Sequence, residues 1–185
     1  MAERVCPWWL GYLLACPMRR WLLKPEVLLG PYLREGMTVL EPGPGMGFFT
    51  LPMSRMIGPA GRIIVIDIQA KMLESLRRRA LKAGTSERID TRLAQPDSLG
   101  INDLNNCVDF VLAFAVVHEL PSPAVFFREA AAAMKTGALM LFAEPAGHVT
   151  PEKFQAEIEA ACAAGLEVTA QPVIRRNHAA ILRKN

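Results

Sequence analysis

The chain has 185 residues, 51% of them hydrophobic and 21% charged, so it can bury a sizeable core, and neither a disordered nor a fibrous protein fits. Its length suits one domain, and 21 basic against 18 acidic residues leave a net charge of +3, too mild to mark a nucleic-acid binder. The cysteines Cys6, Cys16, Cys107 and Cys162 form no C-x-x-C pair, which points away from a zinc site or a disulfide framework and toward a reducing cytoplasm.

The apolar stretch from Trp8 to Cys16 is about half the length that a membrane-spanning helix requires, so no integral membrane association is expected. Leu13-Leu14-Ala15-Cys16 resembles a lipoprotein cleavage site, but Pro7 interrupts the apolar region and Glu3 dilutes the positive start. Residues 1–35 read as an N-terminal helical segment. Its Trp8-Trp9-Leu10-Gly11-Tyr12 run suits a lid over a substrate, a helix packed on the fold, or contact with a membrane interface. Two short helices are expected through Trp21, Leu23, Val27, Leu29 and Leu33, interrupted by Pro25 and Pro31.

Residues 36–185 read as one α/β domain. Gly36 opens a strand over 37–41 that ends in Pro42-Gly43-Pro44-Gly45-Met46-Gly47 and leads into an apolar helix from Phe48 to Ile57. Ile63-Ile64-Val65-Ile66 is a continuous β-branched run, the mark of a strand covered on both faces, and it stops at Asp67. A helix over 70–83 follows, with Met72, Leu73, Leu76 and Ala80 at helical spacing and Gly84 placed for a left-handed cap. Further strands are expected at 88–93, 108–115, 138–143, 167–170 and 179–182, with helices at 123–134 and 151–164. This alternation predicts a doubly wound, mostly parallel seven-stranded sheet with helices on both faces. The final two strands have no helix between them, so one strand in the edge region should run antiparallel.

Open parallel sheets bind ligands outside the carboxyl ends of their strands. Gly43, Gly45 and Gly47 let the backbone turn sharply and approach a ligand closely. Glu41 closes the first strand and Asp67 the second, where an acidic group can reach ribose hydroxyls. A dinucleotide fingerprint needs its third glycine at position 48, which is Phe48. Glu41 would also repel a pyrophosphate, whereas it favours a ligand carrying an ammonium.

The run Val39-Leu40-Glu41-Pro42-Gly43-Pro44-Gly45-Met46-Gly47 resembles the glycine motif of class I S-adenosylmethionine (SAM) dependent methyltransferases. The resemblance continues through Asp67, Val108-Asp109-Phe110-Val111, Val117-His118-Glu119-Leu120-Pro121 and Glu144-Pro145. His118-Glu119-Leu120-Pro121 is similar in style to small-molecule methyltransferases, including those of quinone biosynthesis. The family implies a Rossmann-like fold, SAM as cofactor, and Glu41, Gly43, Gly45, Met46 and Gly47 around its methionine end, with Asp67 and Ile68 at the ribose. Many relatives place an Asp and then a backbone amide at the adenine; here Gln95 and Pro96 stand in those positions. Gln95 offers a carbonyl, Pro96 has no N–H, and Asp97 is the alternative. Many relatives carry Asp or Asn at the fourth strand's end, where this chain has Phe114, which leaves polar contact to the backbone.

Methyl transfer from a sulfonium is an in-line displacement that requires a base only for some acceptors. For a phenol, amine or acidic carbon, His118, Glu144 or His148 could take the proton. The alternatives are a structural histidine at His118, a strand-end anchor at Glu144 and a solvated loop at His148. Arg77-Arg78-Arg79 should splay around a helix as a solvated surface. The preferred acceptor is a small, apolar molecule. DNA is not expected, and RNA ranks second, through Arg175-Arg176 and Arg183-Lys184 if these cluster with Arg19-Arg20. A non-catalytic SAM-binding module is the third reading. No metal is called for, since Cys6 and Cys16 lack a fixed ligand spacing.

Overall fold

The structure, a computed structural model, describes residues 23–185. The Trp8–Trp9 segment, Cys6, Cys16 and Arg19-Arg20 lie outside the described residues. The chain forms two compact units that meet in sequence between Ala94 and Gln95.

Among the described residues of the first unit, a short helix α1 (Pro25–Leu29) comes first, and Pro25 begins it rather than interrupting it, because its missing N–H is not needed at a first turn. Strand β1 (Thr38–Pro42) follows, then helix α2 (Thr50–Met56), strand β2 (Arg62–Asp67), helix α3 (Ala70–Lys82) and strand β3 (Ile89–Leu93). β1 pairs with β2 and β2 with β3, both in parallel, with Leu40 opposite Ile64 and Val65 opposite Thr91. Ile63, Ile64, Val65 and Ile66 are all buried, as a doubly covered strand requires. Helix α2 begins at Thr50 rather than Phe48, since Gly47 and the two phenylalanines after it remain in turns.

Helix α3 buries Met72, Leu73, Leu76 and Ala80. It ends in a Schellman cap: Gly84 sits at φ +67°, its N–H donates to the Leu81 carbonyl at 3.1 Å, and the Thr85 N–H donates to the Ala80 carbonyl at 3.1 Å. The arginine run splays as its helical spacing requires. Arg77 donates to the Thr91 hydroxyl at 2.6 Å, and Arg79 reaches the Met46 carbonyl at 2.6 Å.

The second unit holds strand β4 (Val108–Phe114), helix α4 (Pro123–Ala133), strand β5 (Met134–Pro145), helix α5 (Pro151–Ala163), strand β6 (Leu166–Ala170) and strand β7 (Asn177–Lys184). Both helices start with a hydroxyl cap followed by proline: Ser122 accepts from the Val125 N–H and Thr150 from the Lys153 N–H. β4 and β5 are parallel, with Phe114 opposite Ala143. β5 starts directly at Met134 instead of after a loop, four residues earlier than its apolar pattern suggests; its opening residues Lys135 to Gly137 are exposed and carry no hydrophobic signal. Edge-to-face packing of Phe127 on Phe142 and stacking of Phe142 on Phe154, with centroids at 5.3 and 5.0 Å, fill the core beneath.

The seven strands run in the order β3-β2-β1-β4-β5-β7-β6. The antiparallel strand is β7, which lies between β5 and β6 and pairs with both, so the reversed strand is one place in from the edge. Among the described residues, no helix is long and apolar enough to cross a membrane.

Candidate functional site

In the first unit, the end of β1 and the turn after it bring together the predicted methionine-end residues. Glu41 is 3% exposed and Thr50 is fully buried. The Thr50 hydroxyl donates to Glu41 Oε2 at 2.6 Å, and among the described residues Glu41 has no cationic partner. Burial pushes the Glu41 carboxyl up to about 8, and the Thr50 hydrogen bond offsets only part of that. A carboxyl in this state lacks a counter-charge, which a ligand ammonium would supply.

Gly43, Gly45 and Gly47 all take left-handed backbone, at φ +66°, +53° and +85°. The Gly43 N–H donates to the Ile66 carbonyl at 2.8 Å, which ties the turn to β2. Among the described residues, a Cβ at Gly45 would meet no atom within 4 Å, whereas one at Gly47 would overlap the Leu76 side chain. The two glycines therefore serve different ends, approach from outside at Gly45 and helix packing at Gly47. Met46 is buried, and its carbonyl is the one gripped by Arg79.

Asp67 closes β2, half-buried with Ile68 beside it. Its Oδ1 accepts the Gln69 N–H at 2.8 Å, a local bond that holds the carboxylate at the strand's end. The donor set around this turn fits an amino-acid nucleoside, with a buried carboxyl that has no cation among the described residues, an open glycine and a second carboxylate at the end of the next strand.

The second unit begins with a tight turn in which the Ser98 N–H donates to the Gln95 carbonyl at 3.3 Å. Gln95, Pro96 and Asp97 are all exposed on it, and Pro96 falls where the turn wants a fixed φ. Glu129 of α4 holds the next residues, with the Ser98 hydroxyl donating to its Oε1 at 3.0 Å and the Leu99 N–H to its Oε2 at 2.7 Å. Phe114 is buried at the end of β4, and Ala115 after it has φ +56°.

At the carboxyl ends of β4 and β5, Glu144 is completely buried. It accepts the Val117 N–H at 2.7 Å and the His118 N–H at 3.3 Å, and it pairs with His118 Nδ1. His148 is exposed, with its ring 5.9 Å from that of His118. Glu157 of α5 is buried with no hydrogen bond to either carboxylate oxygen, and Lys153 Nζ stands 3.9 Å from its Oε1. Burial, then the charge of Glu144, push Glu157 up to about 7 against the opposing charges of Lys153 and His118. Thr50, Arg79 and Glu157 carry no sequence motif. Thr50 alone had a local cue, a hydroxyl opening the helix after a glycine turn. Among the described residues, no group of three or more His, Cys, Asp or Glu side chains is placed to hold a metal ion.

Residues 40–142 match the family model of the methyltransferase domain. The chain belongs to this family. The methyltransferase domain is 31% identical over 118 residues to a ubiquinone biosynthesis O-methyltransferase of Paramagnetospirillum magneticum, an alignment covering 64% of this chain and 43% of that protein. It is 30% identical over 77 residues to a tRNA (adenine(57)-N(1)/adenine(58)-N(1))-methyltransferase of Methanocaldococcus jannaschii, covering 38% of this chain and 27% of that one. The chain thus spans less than half the length of these relatives. In fold, the methyltransferase domain is similar to a SAM-dependent methyltransferase from Aquifex aeolicus, with a TM-score of 0.85 and 24% identity over 97% of this chain and 98% of that one. A fibrillarin of Aeropyrum pernix, similar in fold with a TM-score of 0.68 and 25% identity over 87% of this chain and 73% of that one, holds natively bound S-adenosyl-L-methionine.

Proposed function

We propose that the protein transfers the methyl group of SAM to a small, apolar acceptor. The observation that carries this reading is Glu41, a buried carboxyl with one hydroxyl partner and no cation among the described residues, beside a turn whose Gly45 has none of them within 4 Å of its Cβ position. An ammonium compensates such a group, whereas a pyrophosphate would be repelled by it once ionised. In this reading, Glu41 and the turn of Gly43, Gly45, Met46 and Gly47 bind the methionine end, Asp67 and Ile68 the ribose, and Gln95, Pro96, Asp97 and Phe114 serve the adenine end.

The bound cofactor supplies a methyl group already activated by the sulfonium charge. The chain's own residues then have three tasks: to hold that group, to align the acceptor at roughly 3 to 3.5 Å, and to keep water out. Likeness to a ubiquinone biosynthesis O-methyltransferase supports a small acceptor. Calorimetry with S-adenosylhomocysteine and with NAD tests the pocket. Binding of the former alone is expected, and Asp67→Ala should weaken it by about 1 to 3 kcal/mol. Binding of NAD alone would overturn the reading.

The likeness to a tRNA methyltransferase supports RNA as a second acceptor class. That reading requires tRNA affinity that falls steeply with salt, and salt-insensitive or absent binding removes it.

A further inference from the structure

We infer that Arg175 and Arg176, on the turn that leads into β7, bind an anionic group, a carboxylate or a phosphate, which the apolar acceptor carries away from its reacting atom. The inference rests on the methyltransferase reading above and adds one charge to the acceptor of that reading.

Residues 174–177 form a tight turn closed by the Asn177 N–H on the Ile174 carbonyl at 2.9 Å. Both arginines have their carbonyls engaged: the Asn177 side-chain amide donates to that of Arg175 at 2.8 Å, and the Ala146 N–H donates to that of Arg176 at 3.0 Å. Both side chains are exposed, and among the described residues neither guanidinium has an ion pair or a hydrogen bond. Arg176 holds φ +61° as the third residue of the turn, where glycine or asparagine is preferred. Backbone geometry alone would favour glycine there, so the reason for arginine lies in its side chain, and strained backbone of this kind concentrates at functional sites.

The sheet register places this turn. β5 and β7 run antiparallel, with Glu144 opposite His178 and Pro145 opposite Asn177, so the turn lies beside the carboxyl end of β5. β4, parallel to β5, ends on the same side, which is the edge where open sheets bind ligands. Val173, just before the turn, is fully exposed. An uncovered apolar side chain beside two uncommitted guanidinium groups suits a molecule with an apolar body and one anionic group, since the arginine fork matches a carboxylate or a phosphate with two parallel hydrogen bonds.

The other basic residues of β7 are engaged elsewhere. Arg183 donates to Glu167 at 2.8 Å, and Lys184 Nζ donates to the Met134 carbonyl at 2.6 Å. They stand at the opposite end of the strand, roughly 20 Å from the turn at about 3.3 Å per residue, beyond the roughly 8 Å over which exposed charges act together at physiological salt. The four residues therefore form no continuous stripe for a nucleic-acid backbone, and the uncommitted pair is sized for a single anionic group.

The test is calorimetry on protein loaded with S-adenosylhomocysteine, with 2-naphthoate and 2-naphthyl phosphate as anionic probes and 2-naphthamide as an uncharged probe with the same apolar body. The wild type should bind the better anion about tenfold more tightly than the amide, a modest return for charge-assisted hydrogen bonds, and the tighter anion identifies the group. Arg176→Gly relieves the turn, so it should melt no lower than the wild type yet lose that preference. Arg175→Gln should reduce the preference, and Arg183→Gln should keep it. No binding of either anion by the loaded wild type, no preference over the amide, a preference that survives Arg176→Gly, or one lost only along with a lowered melting temperature overturns the assignment. Should Arg176→Gly instead abolish a salt-sensitive affinity for tRNA while the three probes bind alike, the pair serves an RNA backbone and the small-anion assignment falls. Failure of the wild type to bind S-adenosylhomocysteine would sink the cofactor reading, and this proposal with it.

Discussion

Thr50 at the start of α2 donates its hydroxyl to Glu41 at the end of β1 across 2.6 Å, with both side chains sealed from solvent. That bond is what pulls the Glu41 pKa down against burial. Thr50→Val keeps the shape and removes the donor, so the carboxyl should resist ionisation further. S-adenosylhomocysteine affinity near neutral pH should fall by about tenfold, roughly the worth of one hydrogen bond to a charged group. At a pH well above the Glu41 midpoint the loss should shrink. Calorimetry at the two pH values checks this, and an equal loss at both would mean that Thr50 acts through shape alone.

Glu41 itself gives a proton-linked prediction. With its pKa raised to about 8, it is mostly neutral at neutral pH until a ligand ammonium draws it into the ionised form. Binding should therefore release up to one proton, measurable as heats that differ between buffers of different ionisation enthalpy. Glu41→Gln should abolish that release. The sign for stability is opposite to that of an ordinary salt-bridged acid. A raised carboxyl stabilises the fold below its unfolded value of 4.5, and that contribution is lost as pH rises through about 8. Glu41→Gln should thus exceed the wild type in urea resistance above that midpoint and match it in mild acid.

What the sequence made legible was whatever is set locally. The β-branched run Ile63 to Ile66, the glycines of the turn, Asp67 at a strand end and the Gly84 cap each follow from neighbouring residues alone. Thr50 under Glu41, Arg79 on the Met46 carbonyl and Glu157 beside Lys153 did not emerge, because each is defined by a partner or an environment that only the folded chain supplies. The same holds for the early start of β5, where Met134 pairs with Val108 ahead of a register shift and of exposed residues with no apolar signature.

The glycine turn separates ligand approach from packing. Gly45→Ala places a methyl group where none of the described residues has an atom within 4 Å, at an αL backbone that disfavours alanine by roughly 1 to 2 kcal/mol. Its stability loss should stay near that figure while S-adenosylhomocysteine binding drops further. Gly47→Ala presses on Leu76 and should show mainly as a lowered melting temperature. Urea titration and calorimetry on both variants distinguish the two effects, and a reversed ranking would refute the assignment of roles.

Glu157 adds a second pH-dependent term. Its carboxyl, raised to about 7, contributes stability that is present below the unfolded value of 4.5 and lost as pH rises through neutrality. Glu157→Gln should stabilise the protein by about 1 to 2 kcal/mol in mild alkali and by little in mild acid, since the amide carries no charge to desolvate. Denaturation midpoints at the two pH values measure it, and a pH-independent difference would count against a titrating Glu157.

β7 joins β5 to β6 yet is made after both of them. During synthesis, two strands therefore leave the ribosome with open backbone edges and wait for the one that bridges them. Until it arrives, apolar segments such as Leu139 to Phe142 present unpaired amides to any neighbouring chain, which is where nascent copies are most prone to misassociate.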